Sequence, residues 1–213
     1  MAKIRREFMN EKLNEKINHH LDWYKSNKEH GTQLVLNEET YEGMELNNLE
    51  LMEVGILDCI FEKSNLSKLD FSYSNFGYTQ FNHSRLFMID FIKSELNYSS
   101  YSNTFIEDCN FFRTYLMYSI FIDTHISNCN FKNSYFLNAH LEKSTFDSVD
   151  FSNTTFENIS LNQVLFKNCN FEGTNLVNLK TENIRSIIFE DNSILSGKDA
   201  INWLESQIID INF

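Results

Sequence analysis

The chain has 213 residues, enough for one ordinary domain or two small ones, and its 42% hydrophobic content excludes disorder. With no proline, 6 glycines and no apolar run near 18 residues, it is neither collagen-like, nor a flexible linker, nor membrane-spanning. Its 18 basic and 30 acidic residues leave a net charge of −12, which argues against direct contact with a nucleic-acid backbone.

The first predicted element is a helix over residues 4–28. Ile4, Phe8, Leu13, Ile17, Leu21 and Tyr24 recur at helical spacing, and Gly31 ends it. The stripe fits a cap on the next element of the chain, or a docking helix for a partner. Arg5 and Arg6 lead into Glu7, Asn10 and Glu11 rather than an apolar stretch, so no secretory leader is expected and the expected location is the cytoplasm. Residues 1–30 are net basic and the rest is strongly acidic.

From Leu36 to Leu176 every fifth residue is apolar, 29 in succession, and 14 of the 20 phenylalanines lie in this phase. At this composition chance would produce the run with a probability of roughly 10⁻¹¹. Two positions earlier a small residue stands in 22 of the 29 cases, as at Ser64, Thr79, Thr104 and Thr154. A period of five fits neither a helix nor a strand. It requires a chain that turns once per repeat, with the central residue and the small residue pointing inward. Four turns close a square coil of 20 residues, and coils stack by strand-like hydrogen bonding about 4.8 Å apart. Phe71, Phe91, Phe111, Phe131, Phe151 and Phe171 should then form one ladder.

Cys129-Asn130-Phe131-Lys132-Asn133, Cys169-Asn170-Phe171-Glu172-Gly173 and Thr174-Asn175-Leu176-Val177-Asn178 resemble the motif of the pentapeptide-repeat family, small–Asp/Asn–Leu/Phe–polar–polar. The resemblance implies a mainly β fold, a right-handed quadrilateral β-helix with helical caps at both ends. Glycine is scarce at the last position of each repeat. Asparagine stands there instead at Asn48, Asn103, Asn128 and others, and it tolerates left-handed turn geometry.

After Leu176 the phase slips. Ile184, Phe189 and Ile194 restart it three residues out of step, as an irregular coil with a bulge would. Ser196 begins a second predicted helix, with Asp199 as its acidic capping partner. The expected organisation is an N-terminal cap (1–31), the β-helix (32–195) and a C-terminal helix and tail (196–213).

The residues supply little for chemistry. Cys59, Cys109, Cys129 and Cys169 all occupy the small inward phase, where they serve as hydrophobes and free thiols. No Cys-x-x-Cys pair, histidine triad or phosphate loop is present, so no catalytic residue, metal or cofactor is expected. Two surfaces stand out. Tyr78, Tyr98 and Tyr118 share one column, with Tyr115, Met117, Tyr135 and Leu137 on the same face, as a contact patch would. Ile201, Trp203, Leu204, Ile208, Ile211 and Phe213 form a candidate homodimer contact at the other.

These features point to a non-enzymatic scaffold for a protein partner. The family resemblance adds a rival: some members are acidic rods that mimic DNA, bind DNA gyrase, a type II topoisomerase, and protect it from quinolones or toxins. The charge match is partial. Duplex DNA as long as this rod, about 45 Å, carries about 26 charges, whereas Lys63, Lys93, Arg113, Lys132 and Lys143 interrupt the acidic body.

Overall fold

The computed structural model describes residues 2–188 and 193–209, with side chains over 11–188 and 193–208. Every fifth residue from Glu38 to Asn178 adopts the left-handed conformation, with φ between 50° and 64°. This is the corner that a period of five demands. Only Gly43 and Gly173 supply glycine there, so asparagine, lysine, aspartate and even tyrosine take a conformation that L-residues enter at some cost.

Four corners make a coil, and each coil lies in register on the next. Leu46, Leu66, Leu86, Ile106, Ile126, Phe146 and Phe166 are successive parallel partners. The rod therefore has four faces, numbered in chain order. The first comprises residues 34–38, 54–58 and so on to 174–178. The second, third and fourth begin at residues 39, 44 and 49. The third carries a nine-stranded sheet; the first carries shorter strands, including Tyr135–Leu137, Thr155–Glu157 and Asn175–Val177.

The central residues fill the interior. The six phenylalanines from Phe71 to Phe171 stack as one ladder with ring centroids 4.4–5.8 Å apart. Tyr41, Phe61, Phe81, Tyr101 and Phe121 form a second, at 4.6–5.6 Å. The small phase has a reason beyond size. Ser84, Thr104, Thr124 and Ser144 each donate a hydroxyl hydrogen bond of 2.7 Å to the carbonyl of the central residue 23 positions earlier. A buried hydroxyl and a buried carbonyl are thereby satisfied together. Cys109 and Cys129 hold the same small phase on the fourth face, their Sγ atoms accepting at 3.4 Å from the Ile89 and Cys109 amides.

Helix α1 spans Ala2–Lys25. It stops short of residue 28 because Asn27 and Lys28 turn left-handed. Leu13, Ile17 and His20 are buried on the first coil, and His20 Nδ1 accepts the Leu34 amide at 3.1 Å. Lys16 on the helix and Lys28 just beyond it pair with Glu39 and Glu53 at 2.8 and 2.6 Å. A cavity of about 10 Å³ separates this part of α1 from the coil, room for at most one water. The stripe from Leu13 to His20 thus covers the protein's own open end rather than awaiting a partner. Gly31 has φ +71°, and a Cβ there would collide with the His19 carbonyl oxygen, so the return from helix to coil requires glycine.

At the other end Leu161 pairs with Ile184 and Val164 with Ile187, 23 residues apart instead of 20. Three extra residues are accommodated by a turn at 181–183. Ile194 does not continue the inward series. It lies exposed on the short strand Ile194–Leu195, antiparallel to Ile187–Ile188, and this reversal ends the parallel stacking. Phe189 lies outside the described residues. Helix α2, Gly197–Ile209, folds back over the last coil. Ala200 and Leu204 are buried, and the Trp203 ring lies 6.3 Å from both Phe166 and Phe171.

Candidate interaction face

The first face is built by register. Residues 20 apart repeat the same outward position, so Tyr78, Tyr98 and Tyr118 fall in one column. Their rings stack at 4.5 and 4.8 Å, within 4° of parallel. All three sit on left-handed corners, which turn the side chains out of the rod; they are 42–57% exposed. Their amides donate to Asn97, Met117 and Leu137 carbonyls one coil on, at 2.7–3.0 Å, so the column is anchored by backbone. Tyr115 is exposed beside it and pairs in register with Glu95 on one side and Tyr135 on the other. Met117 and Leu137 are half-buried between the tyrosine rows. The seven residues singled out from the spacing are therefore brought onto one surface.

Its electrostatics set this face apart. Glu38, Asp58, Glu95 and Glu157 lie on it, with no lysine, arginine or histidine, whereas each of the other three faces carries lysines or arginines between its carboxylates. The Tyr135 hydroxyl donates to Glu157, which pushes the phenol above its usual range, with burial adding to the effect. Burial raises the Tyr98 phenol too, helped by Tyr78 and Tyr118. The tyrosines present their rings and hydroxyls on a surface that carries only acidic charge.

The C-terminal candidates are distributed differently. Leu204 is buried within its own chain, Ile201, Trp203 and Ile208 are half-buried against the last coil, and Ile211 and Phe213 lie outside the described residues. Deletion of α2 would therefore uncover the core as well as any contact surface.

A second outward cluster escaped the spacing argument. On the third face Phe105 is 61% exposed between its register partners Arg85 and His125, and Phe87 and the exposed Met88 lie further along the preceding coil. Arg85 caps the Phe87 ring at 5.7 Å and pairs with Glu107 at 2.9 Å. The same 20-residue step would have aligned Arg85, Phe105 and His125, but a mixed column gives no repeated letter to notice.

The cysteines are unpaired, three buried and Cys169 half-buried. Burial pushes the thiols of Cys59 and Cys129 up, and Cys169 up to about 11. Such thiols are poor nucleophiles. Among the described residues no cluster of three or more histidines, cysteines or carboxylates could hold a metal ion, and no helix is long and apolar enough to cross a membrane.

A family model described as a pentapeptide repeat region matches residues 119–196. The left-handed corners continue with the same five-residue step from residue 118 back to residue 38. Residues 119–196 are a pentapeptide repeat region, and the corners before them repeat the same fold. No curated protein matches its sequence. Among solved structures it is similar to a trypsin-treated form of QnrB1, a plasmid-mediated fluoroquinolone resistance protein, at 13% identity and a TM-score of 0.41 over 83% of this chain and 97% of that one. A pentapeptide repeat protein of the Arabidopsis thaliana thylakoid lumen matches at 16% identity and 0.42, over 55% and 84%. HetL, involved in heterocyst differentiation regulation in the cyanobacterium Nostoc sp. strain PCC 7120, matches at 14% and 0.29, over 82% and 97%. Likeness at these levels says nothing of a shared partner.

Proposed function

We propose that this protein is a non-catalytic scaffold that holds a protein partner on its first face. One observation carries the reading: seven aromatic and aliphatic side chains gather on a rigid surface of backbone-anchored corners, and four of the tyrosines are exposed there. A contiguous apolar patch of this kind is the usual mark of a contact surface. The filled interior supports the non-catalytic part of the reading, because stacked phenylalanines occupy the space a substrate cleft would need. Free thiols suit a reducing cytoplasm.

A photo-crosslinking residue at position 98 tests the reading. It should give a discrete adduct in the native host, which a residue at position 132 on the fourth face should not. Equal labelling from both positions would reject the first face as the binding surface.

We further propose a homodimer contact at the C-terminal end, on Ile201, Trp203 and Ile208, with Ile211 and Phe213 beyond. Light scattering of the Ile201→Asn, Ile208→Asn double variant should show a monomer where the parent shows a dimer. A monomeric parent removes the contact altogether.

The second reading, an acidic DNA mimic that binds DNA gyrase, is supported by the net charge of −12 and by the cation-free first face. Supercoiling by gyrase with purified protein, with and without ciprofloxacin, decides it. Neither inhibition nor protection at micromolar protein would remove it.

A further inference from the structure

Several outward aromatic rings off the first face, though not Phe105, carry a cation of their own. Tyr73 has the Lys93 ammonium 5.1 Å from its ring centre, Phe87 has the Arg85 guanidinium at 5.7 Å, and Phe112 has that of Arg113 at 5.1 Å. On the cap, Lys28 lies 5.0 Å from the Trp23 ring. The chain supplies a cation to each of these rings. Among the described residues it supplies none to Tyr78, Tyr98, Tyr115, Tyr118 or Tyr135, because the first face has no cationic side chain to offer. Carboxylates stand there instead. Asp58 continues the tyrosine column at the Tyr78 end, and Glu95 is the register neighbour of Tyr115.

An exposed ring attracts an ammonium or guanidinium through its quadrupole, and a nearby carboxylate adds a charge-assisted hydrogen bond. The first face presents both groups with neither partnered by a cation among the described residues. A second copy of this face would bring like charges together, which costs free energy. We propose that the first face receives a cationic segment of a partner protein, whose arginine side chains lie against the exposed tyrosines with Asp58 and Glu95 as their counter-ions. The proposal rests on the first face being the binding surface, and it specifies the chemistry of what binds.

The test uses the full chain and three ten-residue peptides that alternate serine with arginine, lysine or glutamate. Titration calorimetry is run at about 50 mM and about 300 mM salt, which separates screened surface attraction from contact. The arginine peptide should bind saturably and more tightly than the lysine peptide, and the glutamate peptide should not bind. The triple variant Tyr78→Asn, Tyr98→Asn, Tyr118→Asn should weaken binding about tenfold or more; asparagine suits the left-handed corners, so the rod is preserved. Asp58→Asn with Glu95→Gln should weaken it as well. Asp70→Asn with Asp150→Asn removes the same charge from the fourth face and should change affinity less than about twofold. Absence of saturable binding, or equal weakening by the two pairs of acid variants, overturns the proposal. If the peptides fail while the crosslink from position 98 persists, the scaffold reading survives and the cationic partner does not. Loss of both removes both.

Discussion

The phenylalanine ladder inside the rod and the tyrosine column outside it are made by the same operation. Both repeat every 20 residues, both stack on register, and their centroid spacings overlap, 4.4–5.8 Å inside and 4.5–4.8 Å outside. They differ in what surrounds them. The inner rings are fully or almost fully buried, while the outer ones keep half their surface in water. Stacking is therefore a property of the coil register and says little about stability. Burial turns a ring stack into core, and exposure leaves it available to a partner.

The sharpest way to break this comparison is truncation of one ring in each stack. Phe131→Ala should cost about 3–5 kcal/mol, because the cavity lies between Phe111 and Phe151 and neither can move to fill it. A melting temperature unchanged by that substitution would deny the burial. Gly31→Ala acts on the cap instead. A Cβ against the His19 carbonyl should cost roughly 1–3 kcal/mol, and it should appear as faster amide exchange in α1 before the coils are affected.

The cap also carries a pH dependence that the ladders lack. Burial holds the His20 imidazole below its ordinary 6.5, against the opposing pull of the Met52 backbone and Glu53. The unfolded chain binds this proton first as pH falls. Stability from His20 is thus complete above about pH 6.5 and declines below it, by up to about 1.4 kcal/mol per pH unit until the folded form is itself protonated. Melting curves between pH 7 and 5 measure the slope, and His20→Gln should flatten it. A slope identical in both proteins would assign the dependence to other groups.

Two small effects sharpen the contrast. Tyr101 belongs to an inner ladder, yet among the described residues its buried hydroxyl has no well-formed hydrogen bond, with only the Ser99 side chain within reach. Tyr101→Phe should be neutral or stabilising by about 1 kcal/mol, since it removes only a desolvated polar group. Tyr98→Asn, in the outer column, should leave the melting temperature within about 2 °C of the parent, because it gives up little buried surface and relieves an unfavourable corner. A large loss there would mean that the outer stack is structural.

Much of the fold was legible in the order of residues. A left-handed corner every five residues is a local requirement, so the apolar phase from Leu36 to Leu176 and the small phase before it marked inside and outside directly. The three-residue slip after Leu176 was legible for the same reason. The tyrosine patch followed by counting in twenties. The antiparallel turn that exposes Ile194, the burial of Ala200 on α2 and the acceptance of the Leu34 amide by His20 were not legible, because each depends on an end of the rod where the repeat no longer constrains the chain.

Local chemistry alone dictates which side chains enter the rod, since a five-residue turn projects them inward or outward whatever lies above or below. What the outward residues meet is a matter of assembly. Residues 20 apart become neighbours when coils stack, and a residue of the next face can approach around a corner. Whether a ring at the surface finds a cation, as Tyr73 finds Lys93, or stacks among other rings, as Tyr98 does, is settled by side-chain reach across that assembled surface.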